Sequence, residues 1–257
     1  MQSHYDLGKG YPVVMLHSFN HSKLMWIYQI PEFLKNGYRV ICPDYRGHGA
    51  EPLGDEKVTI ETFADDTIRL LSELSIKKAI FIGSSAGGYV TLSIWRKRPD
   101  LVAAMVLAGS KAQQDDPEII ERRKKQVKTL EEGGLEEHIK NVHRRLSQNT
   151  VKNKPWVLDL IRTMSGNMTK EAIIAALNAL ILKPDDRDIL PTINVPTLII
   201  CGEEDVFTPC NFSKYLNENI KGSELIILKD AGHINPLDQP ELFNENTLDF
   251  LARNHLH

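Results

Sequence analysis

Several short apolar runs in this chain show no polar alternation, and no other feature limits its fold as strongly. The candidate strands are Val13–His17, Arg39–Pro43, Ala79–Gly83, Ala103–Ala108, Thr197–Gly202 and Leu225–Lys229. Successive side chains of a strand point to opposite faces, so a strand with one wet face alternates. A run that is apolar throughout must be covered on both faces, as in a mostly parallel, twisted sheet between two helix layers. Helix-like segments do separate the runs, at Leu24–Lys35, Ile60–Leu74, Gly87–Arg98, Pro209–Asn219 and Pro240–Arg253. The last opens on Asp238-Gln239-Pro240-Glu241, read as an acidic cap. At 257 residues the chain can bury one large α/β core.

From Lys111 to Asp188 this rhythm stops. Helix-like blocks at Glu118–Glu131, Leu135–Ser147, Pro155–Met164 and Lys170–Leu182 follow one another with no strand between them. The expected organisation is a core of residues 1–110 and 189–257 with a helical cap, 111–188, inserted late in the sheet over the strand ends. Ordinary sheet cover is the alternative. Glu121-Arg122-Arg123-Lys124-Lys125 reads as a solvated helix face. In the last block Ile173, Ile174, Leu177, Leu180 and Ile181 recur at helical spacing. Leu177 and Leu180 are candidate pocket residues if that stripe faces substrate, and plain core if it packs on the sheet.

Composition removes several function classes. The formal net charge is −3 with no basic tract, which gives no support for nucleic acid or an anionic membrane as partner. The first ten residues lack the features of a secretory signal, and no apolar run approaches the ~18 residues of a membrane span. A cytoplasmic location is expected. Cys42, Cys201 and Cys210 match no metal-ligand spacing, and Cys42 and Cys201 end apolar runs, where a small buried hydrophobe is the expected role. No His-Glu-x-x-His, Gly-x-Gly-x-x-Gly or Walker pattern occurs, and His17 and His21 do not have helical zinc spacing because His17 ends a strand. Neither metal nor cofactor is expected.

The chemistry concentrates in Ala79-Ile80-Phe81-Ile82-Gly83-Ser84-Ser85-Ala86-Gly87-Gly88. Gly83-x-Ser85-x-Gly87 between a buried strand and a helix is the nucleophile-elbow pattern, in which a tight turn exposes the serine oxygen at the sheet edge. Three fixed positions at ordinary ~7% frequencies match by chance in roughly one such chain in ten, so the strand–turn–helix context carries the reading. Ser84 as nucleophile would require glycines where Ile82 and Ala86 stand; Ser85 alone fits, and Ser84 is expected to hydrogen-bond at the sheet end. A serine hydroxyl needs a base. His233, in Ala231-Gly232-His233 after the last run, and Asp205, in Gly202-Glu203-Glu204-Asp205 after the preceding one, share the carboxyl edge of the sheet with Ser85. Glu204 competes with Asp205 for the acid.

On these residues the chain resembles the α/β-hydrolase superfamily over nearly its whole length, nearest its esterase, enol-lactonase and cofactor-free haloperoxidase branch. Val13-Val14-Met15-Leu16-His17-Ser18-Phe19 is similar to that family's oxyanion loop, Pro43-Asp44-Tyr45-Arg46-Gly47-His48-Gly49 to its Asp-x-Arg-Gly-His-Gly loop, and Val195–Gly202 with Asp205 and Pro209 to its acid-bearing strand. The resemblance implies an α/β-hydrolase fold and a Ser85, Asp205, His233 triad. It also implies an oxyanion hole from the backbone N–H groups of Phe19 and Ala86. His17 and His48 match positions of loop structure rather than catalysis. Two departures stand out: Ser18 replaces the usual glycine, where it strains the loop or lends its hydroxyl to substrate, and Glu51 replaces a serine, read as a surface change. The expected activity is hydrolysis of a small-molecule carboxylic ester, with a lactone, perhydrolase or haloperoxidase-like reaction as alternatives. A slow-turnover ligand sensor on the same fold is the non-enzyme alternative.

Overall fold

The computed structural model describes residues 2–256. Seven strands, β1 (His4–Leu7), β2 (Pro12–Leu16), β3 (Arg39–Pro43), β4 (Ala79–Ser84), β5 (Val102–Ala108), β6 (Thr197–Gly202) and β7 (Glu224–Leu228), form one sheet in the order β1-β3-β2-β4-β5-β6-β7. Only β1 runs antiparallel, pairing β3. All six expected strands are present within one residue of their expected start and end; β1, half polar and at the edge, carries no solid apolar run and was not among them.

Burial on both faces is visible residue by residue. Val14, Leu16 and Phe81 enter one apolar cluster with helices α2 (Ile60–Glu73) and α3 (Ala86–Lys97). Val13, Met15, Ile80 and Ile82 enter the other, with Trp26, Phe33, Phe243 and Phe250 from the segment Lys23–Trp26 and helices α1 (Gln29–Lys35) and α11 (Pro240–Arg253). Period-two side chains of an apolar strand thus feed two cores at once. Helix α9 (Cys210–Asn219) joins β6 to β7, and the single turn α10 (Asn235–Asp238) precedes α11.

Between β5 and β6 the described chain has no strand. It forms α4 (Pro117–Glu131), α5 (Leu135–Lys140), a 3-10 turn at Asn141–Arg145, α6 (Gln148–Asn153), α7 (Pro155–Gly166) and α8 (Lys170–Ile181). The Leu135–Ser147 block breaks at Asn141, and α6 was not anticipated.

Three local expectations need correction. Gln239, not Asp238, is the N-cap of α11 and makes no side-chain cap bond; the Asp238 carboxylate instead accepts from Gly232 N at 2.7 Å and Ser147 N at 3.0 Å. Cys201 and Cys210 form a disulfide, leaving Cys42 as the free, buried thiol; their Cα atoms are 5.8 Å apart because the Glu203–Pro209 loop doubles back on β6. Glu51 accepts from Ser3 N at 2.6 Å, tying the chain beside β1 to the loop after β3. That loop is organised by buried Asp44, which accepts from Lys23 N and Ala50 N; a Cβ on Gly49 would lie 2.4 Å from its carboxylate. The glycine there is steric.

Candidate active site

β4 delivers Ser85 into a turn that only small neighbours permit. Ser85 has φ 51° and ψ −109°, a conformation L-residues take only where the surroundings impose it. A Cβ on Gly83 would sit 2.4 Å from the Gly87 carbonyl, and one on Gly87 would sit 2.0 Å from Leu16 O. Glycine at both positions is therefore a packing requirement. Ser85 N donates to Ala108 O at 2.8 Å and Ser85 O accepts from Ser110 Oγ at 3.1 Å, which clamps the strained residue to the end of β5. Ser84 is fully buried, and its hydroxyl has no hydrogen-bond partner among the described residues, contrary to the bond expected for it.

Three carboxyl-edge loops then converge. His233 Nε2 lies 2.8 Å from Ser85 Oγ, and His233 Nδ1 lies 2.8 Å from Asp205 Oδ2. Burial pushes the Asp205 carboxyl up, but the His233 ring and the N–H and hydroxyl of Thr208 outweigh it and hold the group below its ordinary pKa. An ionised carboxylate only accepts, so the shared proton resides on Nδ1 and Nε2 is left to accept from the serine. The other Asp205 oxygen accepts from Phe207 N at 2.8 Å and Thr208 N at 2.9 Å. Thr208 Oγ1 lies 2.7 Å from Asp205 Oδ2 and 2.8 Å from Gly109 O. Glu204 turns away and accepts from Gln148 N at 2.9 Å, so Asp205 is the carboxylate that meets the histidine.

Phe19 lines the cleft with Ser85, and Ala86 is the next residue along the chain. Ala86 opens α3 directly after Ser85, and Phe19 follows β2, the neighbour of β4. Among the described residues neither backbone N–H has a protein acceptor. Helices between β5 and β6 hold this second loop: Arg145 Nη1 donates to Phe19 O at 2.6 Å and Ser165 Oγ to Asn20 O at 3.0 Å. Ser18 is buried and lines the cleft without a positive φ; the left-handed residue of this loop is Asn20, at φ 60°. The glycine-like strain expected at Ser18 has moved two residues on.

His17 and His48 lie outside the cleft lining. His17 Nδ1 donates to Ser18 O at 2.8 Å while Nε2 accepts from Tyr45 N at 3.2 Å, bridging two loops. Burial lowers its pKa to about 4 and that of His48 to about 3, so both are neutral struts. Leu180 lines the cleft; Leu177 is fully buried in the core and does not. Glu121, Arg122, Lys124 and Lys125 are exposed, as a solvated helix face should be, and Arg123 is half-buried; Arg122 and Arg123 also border the cleft. The cleft volume is about 150 Å³. Among the described residues there is no cluster of metal-ligating side chains and no helix long and apolar enough to cross a membrane.

Thr208, Asp238 and Arg145 were not anticipated. Asp205-x-x-Thr208 is a pattern in which a carboxylate caps its own turn, and that spacing was a usable signal for Thr208. Arg145 acts on Phe19, and Asp238 on Ser147, across more than eighty residues of chain, and nothing local marks those contacts.

A profile of the family described as alpha/beta hydrolase fold matches residues 11–240. An AB hydrolase superfamily protein of Bacillus subtilis, YisY, is 30% identical, with 95% of this chain and 93% of that protein covered. The 3-oxoadipate enol-lactonase 1 of Acinetobacter baylyi is 28% identical over 90% of this chain and 85% of its own. Among solved structures, a thermophilic esterase from Thermogutta terrifontis superposes with a TM-score of 0.93 at 31% identity, covering 98% of this chain and 93% of the other.

Proposed function

Because this chain belongs to the alpha/beta hydrolase fold family, we propose that it is a serine hydrolase cleaving a small carboxylic ester through an acyl-enzyme on Ser85. The observation that carries this reading is the unbroken relay from Ser85 Oγ through His233 to Asp205, with 2.8 Å at each step. Within it, His233 Nε2 takes the serine proton as Oγ attacks the ester carbonyl carbon. Asp205 stabilises the imidazolium and holds its tautomer. The oxyanion accepts from the N–H groups of Phe19 and Ala86, each such donor supporting the transition state by ~3–4 kcal/mol. His233 then protonates the departing alkoxide, and water, activated by the same nitrogen, releases the acid. Residues 111–188 serve as a helical cap, whose Arg145 and Ser165 brace the oxyanion loop.

A lactone is the second reading, supported by the likeness to an enol-lactonase and requiring no change in the relay. Turnover of purified protein on short methyl and nitrophenyl esters and on lactones tests both. Ser85→Ala should abolish turnover with its melting temperature kept, and a phosphonate reagent should label the Ser85 peptide. Wild-type rates in Ser85→Ala would sink the mechanism.

A further inference from the structure

The cleft beside Ser85 is lined by Lys111, Arg122, Arg123, Arg144 and Arg145 against one carboxylate, Asp115. Its sign opposes that of the whole chain, whose formal net charge is −3. Lys111 Nζ, 2.7 Å away, and Arg123 Nε, 2.6 Å away, share that carboxylate. Among the described residues Arg122, Arg144 and Arg145 have no carboxylate within ion-pair distance.

Arg145 is the most informative of these. It is only partly exposed, its guanidinium carbon lies 5.2 Å from the Phe19 ring centre, and it gives one N–H to Phe19 O. A guanidinium carries five donors in a planar fork. Burial, with Arg123 nearby, brings its pKa down to about 10, the mark of a cation drawn out of water without a counter-ion. Charges withdrawn from water in folded proteins are normally paired, because an uncompensated one is costly. Here the partner is missing among the described residues at the wall of the cleft that holds Ser85, beside Phe19.

We propose that the cleft selects substrates bearing their own carboxylate, received by Arg145 together with Arg123 while Ser85 attacks the ester carbonyl. This rests on the ester-hydrolase reading for the bond that is cut, and on the cleft's own charges for the anion. A volume of about 150 Å³ accommodates a short acyl part, such as that of a half-ester of a four- or five-carbon dicarboxylic acid. An arginine fork suits a carboxylate because it offers two parallel N–H donors, and cations focused in a cleft raise the local concentration of anions.

The test compares monomethyl glutarate with methyl pentanoate, esters of equal acyl length that differ in one charge. Wild-type protein should favour the anionic ester at least tenfold in kcat/KM. Arg145→Met should narrow that preference at least tenfold, chiefly through KM, and Arg123→Gln should narrow it less. Added salt at about 0.5 M should weaken turnover of the anionic ester alone. Equal losses on both esters in Arg145→Met would mean that the residue only braces the Phe19 loop, and would overturn the proposal.

Titration calorimetry on Ser85→Ala separates the two readings. Glutarate should bind, neutral glutaramide should not, and Arg145→Met added to Ser85→Ala should remove the binding. Glutarate binding through Arg145 in a protein that hydrolyses no ester would keep the anion site and reject the hydrolase. Turnover of both esters at equal rates, with no glutarate binding, would do the reverse.

Discussion

Asp205→Asn should silence the enzyme while leaving its loop intact, and the hydrogen bonds say why. Asp205 Oδ1 accepts from two backbone N–H groups, Phe207 and Thr208, so an asparagine must place its carbonyl oxygen there. Its amide nitrogen is then forced into the Oδ2 position, against His233 Nδ1 and Thr208 Oγ1. One N–H can donate to Thr208 Oγ1, whose own proton is free to go to Gly109 O. The other donates to His233 Nδ1, which must give up its proton and become an acceptor. The imidazole proton moves to Nε2, the atom that has to take the proton of Ser85. Every polar group stays satisfied in a tautomer that cannot act as base. A trapped tautomer together with loss of the carboxylate charge lowers kcat by about 10⁴ in a comparable triad, or ~5.5 kcal/mol of barrier. The assay is steady-state turnover beside a thermal melt, with Glu204→Gln as control, since Glu204 contacts only the exposed Gln148 N–H. Asp205→Asn within tenfold of wild type, or Glu204→Gln the worse of the two, would refute the reasoning.

The remaining predictions draw on other parts of the molecule. Leu180→Trp should shift acyl preference toward acetate esters at unchanged melting temperature, whereas Leu177→Trp, in the closed core, should lower stability by ~1–3 kcal/mol and depress all esters alike; parallel profiles for the pair would count against this division. Asp238→Ala should release the Gly232–His233 loop and Ser147 together, lowering both kcat and melting temperature, and an unchanged kcat would mean the loop holds without it. Buried His17 and His48 have pKa values depressed from the ordinary 6.5 to about 4 and about 3. The unfolded chain therefore binds more protons below pH 6.5, and the stability present above that value is lost as pH falls toward those lower values, by ~1.4 kcal/mol per residue at pH 5.5. A flat melting temperature between pH 7 and 5.5 would contradict their burial as neutral rings. Closing the nine-residue separation between Cys201 and Cys210 is worth ~2–3 kcal/mol on chain-entropy grounds, so reductant should lower the melting temperature; three free thiols in unreduced, denatured protein would show the bond absent.

The sheet and the grouping of Ser85, Asp205 and His233 at its carboxyl edge were legible in the residues alone. Solid apolar runs such as Ala79–Ile82 have no stable home except between two helix layers, so the six parallel strands were legible, whereas half-polar β1, the antiparallel edge strand, was not. Gly83 and Gly87 around Ser85 were legible for a related reason, since a turn that leaves no room for a Cβ writes itself as glycine. The order of Ser85, Asp205 and His233 followed from strand ends that the runs already marked. What surrounds them came only from packing. Arg122 and Arg123 read as solvent-facing because helical periodicity gives a face but not what it meets; Arg122 is indeed exposed, yet both border the cleft. Leu177 and Leu180 lie on one stripe, yet only Leu180 reaches the cleft. Asp238 and Arg145 act on the Ser147 and Phe19 backbone from far along the chain, and the Cys201–Cys210 bond, though local, depends on how the loop after β6 folds back. Local propensity carries no information about such contacts, because they are set by how helices pack after the chain has closed on itself.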